Sequence, residues 1–279
     1  MDGWTKHTSN PIFSPDEGSW DSHIEDFVVV KRGKKYYAFY CGGGGYESLS
    51  GIGVAVAETP LGPFVRHSRD PIIRGGHMRM GSVVRVGGKW MIYFSREKGD
   101  VFVAEFNDMV GWAERPEPVA RNVTQPCVQK FGDRFLMLAT DMNERGIVTL
   151  WSDDGLNFRE KRKIMVMKPD SPYAFGLSNP SFVAMNGKIH ILFEGRRTEF
   201  TNYCGESIGN WRIFNATWDG MSNAKIADNI VLGPCTGDWD DGQVANPHIV
   251  RFGNRHYLYY SGWGTDNMFS VGVAWRDIC

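Results

Sequence analysis

The residues of this chain best suited to chemistry recur at fixed offsets from five similar turns. Seven residues before each turn stand Asp26, Met80, Gln125, Asn179 and Asn246; eight after its first residue stand Cys41, Ser95, Thr140, Glu194 and Ser261. Just beyond these come Arg96 and Glu97, Asp141, Arg196 and Arg197, and Trp263, while Glu25, His77 and Arg79 lie close to the first set. Carboxyl groups such as Asp26, Glu194 and Asp141 can give or take a proton when their surroundings set their pKa values apart. The amides can hold a polar ligand, and arginines suit bidentate binding of an oxyanion. Any one of these residues reads equally as a solvated strand end, or an arginine as a partner of a nearby carboxylate; their recurrence at one register argues for a shared polar pocket.

The elements that must position them are short strands. The turns read Gly33-Lys34-Lys35-Tyr36, Gly87-Gly88-Lys89-Trp90, Gly132-Asp133-Arg134-Phe135, Asn186-Gly187-Lys188-Ile189 and Gly253-Asn254-Arg255-His256, a mean of 55 residues apart. Each joins two apolar, aromatic-rich runs, which is the composition of a hairpin. A third such run follows in each unit (Ile52–Ala57, Val101–Phe106, Ile147–Trp151, Trp211–Trp218, Phe269–Trp275), and then a more polar fourth. Five units of four antiparallel strands predict an all-β, five-bladed β-propeller occupying residues 1–279 as one domain. The fifth unit has no fourth strand after it, whereas Trp4–Phe13 aligns without a gap on Phe64–Ile73, the fourth segment of unit one. The N-terminal strand should therefore complete blade five and close the ring, removing its free edges.

In this arrangement the first strands line the axis and start at one mouth. Val28, Ser82, Cys127, Ser181 and His248 should form the layer beneath. Pairing is expected to bring Glu194 beside Asn179 and Asp141 near Gln125. Trp263, Trp20, Trp239 and Tyr46 are candidates for stacking on a flat ligand, with packing between blades as the alternative. Gly42–Gly45 lacks the lysine and helix of a phosphate loop and reads as a close backbone approach or a mobile rim. A short helical turn is expected within 201–212.

The 31 basic and 32 acidic residues give a net charge of −1, which offers nothing to a nucleic acid or membrane surface. No apolar run reaches the roughly 20 residues of a spanning helix. The first residues lack the apolar core of a signal peptide, so a cytoplasmic location is expected. Five irregularly spaced cysteines and seven histidines contain no zinc-type spacing, and no cofactor is required.

Trp20-Asp21-Ser22, the run from Lys34 to Tyr40, Gly53–Ala57 followed by Gly62-Pro63-Phe64, and Asn246-Pro247-His248 with Tyr257–Gly262 form one further pattern. In these residues the chain resembles the five-bladed propeller glycosidase superfamily, which includes glycoside hydrolase families 43, 32 and 117 and the mannoside phosphorylases of family 130. The resemblance implies a carbohydrate substrate and a glycosidic bond cleaved at the axial pocket. By family 43, Asp26 takes the place of the general base; the family's second Asp falls on Gln125 and its acid on Asn179. Glu194, the carboxylate nearest the vacant acid position, is then the candidate acid, with Asp141 a further catalytic candidate. Glu25, His77, Arg79, Arg96, Gln125, Asn179, Arg196, Asn246 and Trp263 are candidates for binding substrate. Carboxyls roughly 6.5–9.5 Å apart would act with inversion. By family 130, Glu25-Asp26 resembles a Glu-Asp-Pro sequence, and the arginines with His77 would bind phosphate in an inverting phosphorylase. The losses at Gln125 and Asn179 leave a third reading, a glycan-binding propeller without catalysis. The superfamily also implies an axial calcium or sodium ion near His248. Arg69-Asp70-Pro71 matches an invertase-type motif but aligns on an outer strand.

Overall fold

The computed structural model describes residues 3–45, 48–96, 99–106, 112–143, 145–196, 211–264 and 268–278. The strands form five antiparallel sheets arranged as blades around an axis. Blade one contains β2 (His23–Arg32), β3 (Lys35–Gly43), β4 (Leu49–Ala57) and an outer edge split into β5 (Val65–Arg66) and β6 (Ile73–Arg74). Blade two contains β7 (Met78–Val86), β8 (Lys89–Arg96), β9 (Asp100–Phe106) and β10 (Ala113–Glu114). Blade three contains β11 (Val123–Phe131), β12 (Arg134–Asp141), β13 (Gly146–Ser152) and β14 (Arg159–Val166). Blade four contains β15 (Gly176–Met185), β16 (Lys188–Arg196), β17 (Trp211–Trp218) and β18 (Lys225–Leu232). Blade five contains β19 (Gln243–Phe252), β20 (Arg255–Trp263), β21 (Phe269–Asp277) and, at its outer edge, β1 (Thr5–Lys6).

The ring therefore closes as the sequence predicts, and in the same register. Thr5 and Lys6 pair with Trp275 and Ala274, as Val65 and Arg66 pair with Val56 and Ala55. Phe13 bridges to Val271 as Ile73 pairs with Ile52. The first two strands of each blade meet in a two-residue turn whose leading residue, Gly33, Gly87, Gly132, Asn186 or Gly253, has positive φ, the conformation that matches strand twist. The expected helical turn at 201–212 falls on residues 201–210, outside the described residues, and on the start of β17.

The β-branched and aromatic residues of these strands bury their faces between neighbouring blades. Ile24, Phe27 and Tyr40 of blade one meet Tyr259, Val271 and Val273 of blade five; other blade pairs repeat the wedge. Blades one and five each carry a clamp at the outer side of this core. Trp20 stacks on Tyr40 with centroids 6.0 Å apart, and Trp239 on Tyr260 at 5.6 Å. Buried Asp21 accepts from the Tyr40 hydroxyl at 2.8 Å, Arg66 Nε at 2.7 Å and the Ser19 hydroxyl. Buried Asp240 accepts from Tyr260, from Lys6 Nζ at 2.6 Å and from the Cys235 N–H at 3.0 Å. Gly53 permits this closeness, because a Cβ there would strike the Tyr40 ring; at Gly42 one would lie 2.7 Å from Asp21 Cβ.

Two sequence expectations change accordingly. Trp20 and Trp239 are packing residues of the clamps, and Gly42 serves Trp20 and Asp21 rather than a ligand. Arg69-Asp70-Pro71 lies on the outer surface, with Asp70 exposed and paired with Arg74.

Candidate functional site

The mouth is built on interruptions of the hairpin ladders. Pairing between the first two strands skips a register at Glu25/Val28, Met80/Ser82, Thr124/Cys127, Ser178/Ser181 and Ala245/His248. Four of the skipped residues hold left-handed backbone: Asp26, Gln125, Asn179 and Asn246, with φ of 54°, 53°, 50° and 51°. Asp and Asn tolerate this region better than most side chains. A bulge leaves its extra residue out of its own ladder. Here the freed N–H groups cross to the preceding blade.

The crossing follows one rule. The N–H of Met80 donates to Cys41 Sγ at 2.9 Å, that of Gln125 to Ser95 Oγ at 3.2 Å, that of Asn179 to Thr140 Oγ1 at 3.0 Å and that of Asn246 to Glu194 Oε2 at 2.9 Å. A second layer repeats it one step along the axis: the N–H of Val128 donates to Ser82 Oγ at 2.8 Å and that of Ile249 to Ser181 Oγ at 3.0 Å. His248, at the equivalent place in blade five, sets Nε2 3.3 Å from the Val29 carbonyl. Glu194 thus stands where other blades use a hydroxyl or thiol. A carboxylate is more than that clasp requires.

Three carboxyl groups meet above these clasps. Asn246 Nδ2 donates to Glu25 Oε2 at 3.1 Å and to Ser261 Oγ at 3.2 Å. Asn179 Nδ2 donates to Asn246 Oδ1 at 2.9 Å and to Asp26 Oδ1 at 3.3 Å. Glu25 is paired with Arg79 and, at 2.8 Å, with His23 Nε2. Burial alone would raise the Glu25 pKa; the Arg79 and His23 charges overcome it and hold the group down at about 2. Asp26 goes the other way, to about 7. Burial dominates there, the Glu25 and Glu194 charges add to it, and Arg79 and Asn179 oppose it. Its Oδ2 is buried without a hydrogen-bond partner, 3.6 Å from Arg79 Nη1. Burial also raises Glu194, against the Asn246 N–H and the Ser178 hydroxyl at 2.7 Å. The arrangement can therefore hold protonated and ionised carboxyls side by side near neutral pH.

Of the sequence candidates, Asp26, Glu194, Glu25, Arg79, Asn179 and Asn246 belong to this network. Gln125 joins it through its Oε1, which accepts from the Thr140 hydroxyl at 2.9 Å and the Asn179 N–H at 3.2 Å. Thr140, not Asp141, reaches Gln125. Successive strand residues face opposite ways, and Asp141 pairs with Lys161 of the outer strand at 3.0 Å and accepts from the Asn143 N–H. Arg96 pairs with Glu114 at 2.7 Å and lies over Phe94 and Phe102. Arg196 donates to the Phe175 carbonyl at 3.0 Å and lies over Trp211. Among the described residues, Arg79, Arg96 and Arg196 thus do not gather into one oxyanion cluster. His77 is half-buried, just before β7. Trp263 is half-buried at the end of β20, opposite Gln243 and Phe269. Tyr46, Glu97 and Arg197 lie outside the described residues.

The layer expected to hold an axial ion fits one poorly. Calcium takes a shell of oxygens rich in carboxylates. Around His248 the equivalent residues are Val28, Ser82, Cys127 and Ser181, and both hydroxyls already accept main-chain N–H groups. Burial lowers the His248 pKa to about 4, so the ring is neutral and serves as a clasp.

Sequence reasoning missed His23 and Gln243. His23 holds Glu25 and packs on Phe269 with centroids 4.9 Å apart; Gln243 is buried with Oε1 unpartnered. Both stand ten residues before their turns, as His77 does, so the offset that picked out Asp26 would have found them three positions earlier.

No known family profile or curated protein matches the chain. Solved structures do. A glycosyl hydrolase from Bacteroides ovatus superposes with a TM-score of 0.77 at 15% identity, over 99% of this chain and 94% of that one. A β-1,2-mannobiose phosphorylase from Listeria innocua gives 0.75 at 12%, over 99% and 97%. An α-L-arabinofuranosidase from Podospora anserina gives 0.71 at 15%, again over 99% and 97%. The chain has the five-bladed propeller fold that these carbohydrate-cleaving enzymes share.

Proposed function

We propose that the chain is a glycoside hydrolase acting on an oligo- or polysaccharide at the axial mouth, with Asp26 and Glu194 as its acid–base pair. The observation that carries this reading is the buried Asp26 carboxyl, proton-bearing near neutrality, with one oxygen unspent. A scaffold has no use for such a group, whereas glycoside hydrolysis needs one protonated and one ionised carboxyl. Sequence resemblance gave Asp26 the base's role and Glu194 the acid's. The surroundings favour the exchange: Glu194 receives two hydrogen bonds that stabilise its ionised form, and Asp26 one long one. Asp26 would then protonate the leaving oxygen while Glu194 draws the proton from an attacking water. Burial, with the Glu25 and Glu194 charges adding to it, keeps the proton on Asp26 against Arg79. Asn179 and Asn246 orient the carboxyls, and His77, Trp263 and Gln243 at the rim contact sugar hydroxyls and faces.

Hydrolysis is favoured over phosphorolysis because Arg79 is committed to Glu25, while Arg96 and Arg196 are anchored away from the carboxyl network. The test is product release from a panel of aryl-glycosides and plant, algal and microbial polysaccharides, with and without phosphate. Wild type is compared with Asp26→Asn and Glu194→Gln. Phosphate-independent turnover lost in both variants supports the reading. Phosphate-dependent turnover overturns the reaction class, and glycan binding with no turnover on any substrate overturns the enzyme.

A further inference from the structure

The end of the axis opposite the mouth carries a second, differently built opening. It is a funnel of about 1080 Å³, counted to its open rim, walled by residues such as Val30, Val84, Val183, Ile249 and Val250. Its floor is the lower clasp layer of Ser82, Cys127 and His248, whose polar groups are engaged with the protein itself. The hairpin turns surround the rim, and two rows of cations run around them.

The outer row stands two residues after each turn's first residue, and four of its five members are neutralised; the fifth, exposed Lys188 of blade four, makes no ion pair among the described residues. Lys35 pairs with Glu58 at 3.2 Å, Lys89 with Glu105 at 2.9 Å, Arg134 with Asp153 and Glu160 at 2.8 Å each, and Arg255 with Asp277 at 2.8 Å. The inner row stands two residues before each turn: Lys31, Arg85, Lys130 and Arg251, with Ala184 in blade four. All four cations are exposed and make no ion pair among the described residues. Lys31 lies over Tyr36 and Arg85 over Trp90, while Arg85 and Arg251 donate to the carbonyls of their own turns, Gly88 and Gly253. These contacts fix the side chains without cancelling their charge. A chain of net charge −1 thus leaves all four inner cations uncompensated around one apolar opening.

We propose that this funnel binds an acidic peptide segment of a partner protein, with one apolar side chain in the funnel and carboxylates on the inner cations. A lone carboxylate on an alkyl chain would use one or two cations; a ring of four suits several negative charges spread around a central apolar anchor. The walls reward the anchor by burial, and the ring favours acidic sequences and speeds their encounter. This site is separate from the carboxyl network, so it stands or falls independently of the hydrolase reading.

The probe is a fluorescein-labelled heptapeptide with six Asp and Glu residues around a central Leu, followed by fluorescence anisotropy. Saturable binding is expected, weakening by tenfold or more between about 50 and 300 mM salt as screening grows. The triple variant Arg85→Gln/Lys130→Gln/Arg251→Gln, folded as judged by an unchanged melting curve, should weaken it at least tenfold. The outer-row variant Lys89→Gln/Arg255→Gln should change it less than about twofold, as screened surface pairs contribute little. Replacing Leu by Ser in the probe should also weaken binding. No saturation, an equal loss in the outer-row variant, or equal binding of an uncharged Gln/Asn probe overturns the proposal. Saturable binding of decanoate or a dT10 oligonucleotide, with none of the peptide, overturns the class of partner.

Discussion

Two of the places where this propeller buries an aspartate in a polar network differ in what is left over. In the clamps of blades one and five, Asp21 and Asp240 receive donors on both oxygens, including a tyrosine hydroxyl and a cation each. At the mouth, Asp26 receives one long hydrogen bond, and its Oδ2 has none, lying 3.6 Å from Arg79 and beside the Glu25 and Glu194 charges. A buried carboxylate with its donors satisfied holds a fold together; one that is under-supplied holds a proton instead. Under the proposed function, the clamp stores its interactions in stability and the mouth in reactivity.

The contrast breaks first if Asp26→Asn leaves turnover intact. The expected loss is on the order of 10³-fold, within the range for removing a general acid, with the melting temperature unchanged or raised; initial rates and a thermal melt read both. Asp21→Ala should do the reverse. Leaving Arg66 and Tyr40 without their partner should cost about 3 kcal/mol in urea denaturation, while the rate per folded molecule stays within about twofold of wild type. Glu194→Gln comes next. The amide oxygen can still accept the Asn246 N–H, so the inter-blade clasp survives and stability falls little, but turnover should drop about 10²-fold. Glu194→Ala would lose both, and the difference between the two variants measures the clasp. Gly53→Ala forces a methyl group into the Tyr40 ring and should cost about 2 kcal/mol of stability, with kcat unaltered.

The smallest effect is on pH dependence. Between about pH 4 and 7, folded Asp26 keeps a proton that the unfolded chain has released, so its contribution to stability declines as pH rises through that window. Glu25 has the opposite sign: its contribution is full above its unfolded pKa and is lost as pH falls toward 2. Urea midpoints at pH 5 and 8 should differ in wild type and converge in Asp26→Asn. Turnover should likewise fall above about pH 7 as the acid ionises.

Blade number, strand order and ring closure were legible because turn chemistry and strand alternation are local and repeat five times. The alignment of Trp4–Phe13 on Phe64–Ile73 even gave the pairing register. The site was legible only in outline. Recurrence of Asp26, Gln125, Asn179 and Asn246 at one offset looked like shared chemistry, yet part of its cause is backbone: each sits in a left-handed bulge that favours such residue types. What separates Asp26 from the rest is its partners, and those come from two other blades, through Arg79 of blade two and Asn179 and Glu194 of blade four. Asp141 was misplaced for a simpler reason. A single step along β12 turns a side chain to the other face of the blade, and Thr140 took the face that reaches Gln125.

The pairing of β1 with β21 sets a timetable for synthesis. The strand that seals the ring is made first and its partner last, so for most of translation β1 has nothing to pair with. At on the order of 10 residues per second, about half a minute separates them on the ribosome. During that interval the flank of blade one that will meet Tyr259 and Val271 is open to solvent, with Phe27 and Ile24 uncovered. Blades one to four can fold in turn as they emerge, but the ring cannot close before β21 has been made, and until then that flank of blade one lacks its partner.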